Sequence, residues 1–139
     1  MSRGGAEGAE AGDNESEIRG SCHCGAVTIR VPHPPEWVGS CNCSLCTKTG
    51  WLVAYYPDDA VTVEGETVAY IWGDRMIGIH HCPTCGCGTH WKTLGEDFGK
   101  MGVHARLLDG FDASRAEAHP SKLHFDGRPV EVRLMANRD

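Results

Sequence analysis

The chain has 139 residues, eight of them cysteine, and a formal net charge of -6. That length supports one domain with a modest core, and the cysteine content falls below the density of a small disulfide scaffold. Residues 1–17 set Glu7, Glu10, Asp13, Glu15 and Glu17 against Arg3 and carry most of the charge, so the remainder is close to neutral and has no basic stripe for nucleic acid or an anionic membrane.

Residues 1–17 are rich in Gly, Ala, Glu and Ser and bury too little apolar surface to offset ordering entropy. They are expected to form a disordered acidic tail ahead of a domain spanning 18–139. The tail lacks the apolar core of a signal peptide, and no run approaches the ~20 apolar residues that span a bilayer. The expected location is therefore cytoplasmic, where thiols stay reduced and clustered cysteines serve as metal ligands before disulfides.

Ala26 to Val31 alternates apolar and polar residues as a half-buried strand does, and Pro32, Pro34 and Pro35 end it. Trp37 and Val38 lead into a cysteine cluster. Ser44 to Thr49 reads as one helical turn or a knuckle stopped by Gly50. Trp51 to Tyr56 is a buried strand, Pro57-Asp58-Asp59 a turn, and Val61 to Gly65 a short strand and turn. Thr67 to Trp72 and Arg75 to His81 are two strands hinged at Gly73-Asp74. Gly88 to Lys92 is another strand. Lys100 to Leu108 fits strand or helix on pattern, with Gly99 and Gly102 favouring strand. Asp109 to Pro120 is loop, with a helical turn at Ser114 to Ala118, and Leu123 to Phe125 and Val130 to Leu134 are weak strands. Short strands without a long amphipathic helix predict a mainly β domain.

The cysteines fall in three groups: Cys22-His23-Cys24, Cys41-Asn42-Cys43-Ser44-Leu45-Cys46, and Cys82-Pro83-Thr84-Cys85-Gly86-Cys87. A C-x-C or C-x-x-C pair supplies two metal ligands from one bend, and two such pairs distant in sequence close a tetrahedral zinc site. Cys22, Cys24, Cys82 and Cys85 fit that rule. Cys41, Cys43 and Cys46 form a three-ligand group, the catalytic arrangement when the fourth position takes water or substrate. Cys87, His23, His80, His81 and His90 are each available as a fourth protein ligand, and spacing alone also permits other partitions of the eight cysteines. Lys48, Arg75 and Lys92 are candidate cations for a substrate carboxylate or a thiolate-rich site. Trp72, Trp91, Tyr55 and Tyr56 read as core or pocket wall.

Gly20-Ser21-Cys22-His23-Cys24-Gly25-Ala26-Val27, the Cys41-to-Cys46 motif and His81-Cys82-Pro83-Thr84-Cys85-Gly86, in this order, resemble the glutathione-dependent formaldehyde-activating enzyme family, which also contains the centromere protein V group. The likeness runs from about Arg19 to Leu108. Tyr70-Ile71-Trp72-Gly73-Asp74 and Cys85-Gly86-Cys87-Gly88-Thr89-His90-Trp91 resemble one bacterial branch of it. The resemblance implies a β-tent fold of twisted antiparallel sheets pinned by two zinc ions. It implies a structural ion on Cys22, Cys24, Cys82 and Cys85, a catalytic ion on Cys41, Cys43 and Cys46, and no family-wide role for Cys87. The implied activity is carbon–sulfur lyase chemistry on a thiol–aldehyde adduct such as S-(hydroxymethyl)glutathione, with a small-molecule thiol, glutathione, as partner. A soft thiolate site favours a soft fourth ligand, so zinc is expected to act on the substrate sulfur. Two competing readings are a non-catalytic zinc-stabilised β-domain for protein binding, and a redox or metal-buffering domain with Cys87 as the reactive thiol.

Overall fold

Where apolar and polar residues alternate, the chain extends. A computed structural model describes residues 16–95, 99–119 and 125–137, and among these the protein is mainly β. The strands are β1 (Ile18–Ser21), β2 (Thr28–Val31), β3 (Val38–Cys41), β4 (Leu52–Pro57), β5 (Thr62–Ile71), β6 (Ile77–His81), β7 (Gly88–Thr93), β8 (Lys100–His104), β9 (Glu117–His119) and β10 (Glu131–Asn137). One α-helix, α1 (Ser44–Thr49), and short 3-10 turns complete the described elements. Most of the expected tail, residues 1–15, lies outside the described residues. Ser16 is held by a 2.9 Å bond from its hydroxyl to the Pro32 carbonyl, and Glu17 pairs with Arg19 at 3.5 Å.

The strands join one curled sheet in the order β9-β3-β4-β8-β7-β6-β5-β2-β1, with β10 added to β5. Every pairing is antiparallel except β9 on β3. A parallel pair needs a long crossover, and here residues 42–116 lie between the two strands. The interior is filled by Val27, Ile29, Val31, Val38, Ala54, Tyr56, Met101, Val103 and Leu108, together with the sulfurs of Cys22 and Cys82.

Several expectations are revised. Ile18–Ser21 is a strand, although too short to show a period. The expected turn at Gly65 does not exist: Thr62 to Ile71 is one strand that runs through it. Gly65 has φ +112°, and a β-carbon on it would overlap the carbonyl oxygen of Ala26. This glycine therefore marks a close approach of two backbones rather than a reversal. Lys100 to Leu108 divides into a strand and a 3-10 turn, Ala105–Leu107. The helical turn expected at Ser114 to Ala118 is a 3-10 turn at Ala113–Arg115, followed by β9. Leu123 and His124 lie outside the described residues, and Phe125 is not in a strand.

Gly65→Ala is expected to destabilise the fold by about 3 kcal/mol, because it adds an overlap with backbone to a strained φ. Urea unfolding measures this. A change below about 0.5 kcal/mol, the range of neutral surface substitutions, would mean that the Ala26 backbone is free to retreat.

Candidate metal centre and adjoining cleft

Two cysteine turns of like construction flank β5. In the first, the Cys22 N–H donates to the Val27 carbonyl at 3.0 Å and the Gly25 N–H to the Cys22 carbonyl at 3.2 Å. In the second, the Cys82 N–H donates to the Cys87 carbonyl at 2.9 Å and the Gly86 N–H to the Cys82 carbonyl at 3.0 Å. Each turn needs a left-handed residue, supplied by Gly25 at φ +85° and Gly86 at φ +84°. β2 and β6 both pair with β5, Thr28 opposite Glu64 and His81 opposite Val68, so the turns meet beside the middle of that strand.

The meeting brings the Sγ atoms of Cys22, Cys24, Cys82 and Cys85 within 4.8 Å of one another. Cys22 to Cys24 and Cys24 to Cys82 are each 3.7 Å. A tetrahedral zinc with Zn–S bonds of about 2.3 Å has S···S edges of about 3.8 Å, so this donor set fits the ion closely. A disulfide would require about 2.05 Å, and all eight cysteines are free. Backbone N–H groups point at the sulfurs: Val27 to Cys22 at 3.3 Å, and Thr84 and Cys85 to Cys82 at 3.3 and 3.4 Å. Such donors favour thiolate over thiol. The N–H groups of Cys87 and Cys24 hold the Cys85 thiol down at about 5.

The second cluster sits on a single bend. β3 ends on Cys41, and Cys43 caps α1 with its sulfur accepting the Cys46 N–H at 3.3 Å. The Cys43 N–H in turn donates to the Cys41 sulfur at 3.4 Å. Gly50, at φ +78°, stops the helix as expected, its N–H on the Cys46 carbonyl at 2.9 Å. The three sulfurs lie within 4.8 Å of one another. Cys43 is buried while Cys41 and Cys46 are partly exposed, so one side of the cluster faces outward. Hydrogen bonding from the Cys46 thiol, helped by the Cys46 and Leu45 N–H groups, outweighs burial and holds Cys43 at about 5. The same contact with Cys43, with burial, pushes Cys46 up.

Among the described residues no fourth Cys, His, Asp or Glu ligand atom joins this trio. The Cys87 thiol lies beside the other cluster, against the Cys85 sulfur and the His23 N–H. His80 and His90 are buried and stacked at 4.2 Å between centroids, with Nδ1 of each on a threonine hydroxyl: Thr67 for His80 at 2.8 Å and Thr89 for His90 at 2.9 Å. Burial drives His80 down to about 4 and His90 well below its ordinary value, so both rings are neutral interior groups.

A cleft of about 720 Å³ runs along α1. Leu45 and Thr49, one helical turn apart on either side of Cys46, form part of its wall. Trp51 stacks on His104 at 4.6 Å, and Tyr70 and Ile79 add further apolar surface. Its polar side chains, besides Thr49, are His80, His81, Cys87, His104 and Arg106. Burial, with the Arg106 charge adding to it, pushes His104 down against the opposing bond to the Leu52 carbonyl.

None of the candidate cations Lys48, Arg75 and Lys92 lines the cleft. Arg75 is instead paired with Glu131 at 2.7 Å. Arg106 lines the cleft instead. No motif signals it, because the topology rather than any spacing brings the turn after β8 to the cleft.

A model of glutathione-dependent formaldehyde-activating enzymes matches residues 17–125. A Halomonas elongata protein described under the same family name is 36% identical over 142 aligned residues, covering 82% of this chain and 90% of its own length. The crystal structure of a Rhodobacter sphaeroides protein is similar at a TM-score of 0.62 and 27% identity, over 74% of this chain and 99% of that one. The matched span contains both cysteine clusters and all but the last of the strands, and the chain belongs to the glutathione-dependent formaldehyde-activating enzyme family.

Proposed function

We propose that this protein is a zinc-dependent carbon–sulfur lyase acting on a thiol–aldehyde adduct, with S-(hydroxymethyl)glutathione as the family's example. The observation that carries the reading is the Cys41–Cys43–Cys46 trio: three sulfurs gathered on one bend and partly exposed, while Leu45 and Thr49 of the same helix, and not the three cysteines, line the cleft. Cys22, Cys24, Cys82 and Cys85 would hold a structural ion, and Cys41, Cys43 and Cys46 a catalytic one. When bound to the trio, zinc supplies a fourth position that lowers the pKa of an incoming thiol and accepts its thiolate.

The chain's own residues set up the rest. Backbone N–H groups of Cys43 and Cys46 fix two of the three sulfurs before any ligand arrives, so little reorganisation accompanies metal binding. A four-thiolate zinc site carries -2 and a three-thiolate site -1, which makes the Cys41 cluster the more receptive of the two to another anion. In the lyase direction the adduct hydroxyl loses its proton to solvent, the C–S bond breaks with its electron pair leaving on sulfur, and the carbonyl of the aldehyde forms. The reverse direction adds the thiolate to the aldehyde carbon.

The direct test follows ¹³C-labelled formaldehyde and glutathione by exchange NMR with the zinc-loaded protein. Two zinc ions per chain and exchange between free aldehyde and adduct well above the spontaneous rate are expected. Exchange at the spontaneous rate with both sites filled would sink the lyase reading.

A further inference from the structure

We infer that Arg106 anchors a carboxylate on the thiol substrate, so that the cleft selects mercapto-acids over neutral thiols; this rests on the lyase reading above for what the cleft holds. Among the described residues the cleft is lined by no Asp or Glu, and Arg106 is its cation outside the histidines. Among the described residues Arg106 has no ion-pair partner. Arg75 and Arg133, by contrast, are both committed to Glu131 at 2.7 Å. The guanidinium lies close enough to His104 for its charge to be felt there, and His104 stacks on Trp51, which also lines the cleft.

Charge gives this cation a task. A thiolate joining the proposed Cys41 site takes that site from -1 to -2. A carboxylate elsewhere on the same molecule adds a further negative charge and is repelled unless a cation receives it. A guanidinium receives it best, because its planar fork matches the two carboxylate oxygens. The about 720 Å³ of the cleft exceeds what a bare two-carbon thiol fills and suits a molecule that reaches from α1 to the turn after β8. Glutathione, whose carboxylates lie several bonds from its thiol, meets the requirement. 2-Mercaptoethanol does not.

The experiment compares glutathione with 2-mercaptoethanol on the zinc-loaded full chain. It reads formaldehyde exchange by ¹³C NMR and, independently of activity, the shift of the Trp51 indole N–H signal. Arg106→Gln is expected to raise the half-saturating concentration of glutathione about tenfold, the effect of losing a charged hydrogen bond, and to leave that of 2-mercaptoethanol unchanged. Arg106→Lys should recover part of the loss, since charge returns without the fork. Equal half-saturation of the two thiols by the unaltered protein, or equal weakening of both in Arg106→Gln, overturns the inference and leaves the lyase reading standing. Conversely, if no thiol is turned over while glutathione still shifts the Trp51 signal through Arg106, the anion anchor stands and the lyase reading falls.

Discussion

Cys82→Ser is expected to abolish folding at 37 °C rather than to impair a folded protein. Cys82 is fully buried, belongs to the core and accepts N–H groups of Thr84 and Cys85 on its sulfur. It also lies 3.7 Å from the Cys24 sulfur, across 58 positions of sequence. The turn it opens meets the Cys22 turn beside β5, so the cluster joins the first hairpin to the middle of the sheet. A structural zinc contributes about 10–16 kcal/mol of apparent binding free energy in small zinc domains. A domain of this size has a total stability of about 5–15 kcal/mol. If zinc occupies this cluster, removing one ligand takes away a term as large as the whole. Far-UV circular dichroism and zinc content of Cys82→Ser, measured at fixed total zinc, decide the matter. A folded variant with a thermal midpoint within a few degrees of the parent would show that the core holds the two turns together without metal.

The two cysteine clusters were legible in the sequence because their information is local. Two ligands on one bend are set by spacing, and Gly25, Gly50 and Gly86 stand where the turns and the helix cap need a left-handed residue. The runs that became β2, β4 and β7 were legible for a like reason: β2 shows its own alternation, β4 is a short continuous apolar run, and β7 directly follows the last cysteine group. What failed to show was information held between distant segments. Gly65 looked like a turn because its cause, the Ala26 backbone, lies on another hairpin. β9 looked like loop because a three-residue strand has too little pattern, and its partner β3 is far upstream. Cys87 stayed open between two clusters until the His23 N–H placed it beside the first. Arg106 carried no sign at all, since a cation becomes a binding group only through what the fold sets around it.

Cys46→Ser is expected to leave the fold intact and remove the activity. The contrast with Cys82 follows from position. Cys46 lies in α1, is partly exposed and is absent from the core cluster. Its cluster draws all three sulfurs from one bend, so no distant strands depend on it. The hydroxyl of serine is a poor thiolate substitute for a soft ion, and two remaining sulfurs do not fix the coordination geometry on which an open position depends. Zinc content is therefore expected to fall from two per chain to one. Aldehyde exchange is expected to drop by at least about a hundredfold, beyond the 10–100-fold typical of disturbing only the groups behind a ligand. Circular dichroism should match the parent, and the thermal midpoint should fall only by what the lost ion contributed through mass action. Retention of both zinc ions with loss of activity would point to Cys46 acting as a free nucleophile. Retention of activity with one zinc would move the chemistry away from α1 altogether, and with it the reason for a cleft that begins at Leu45 and Thr49.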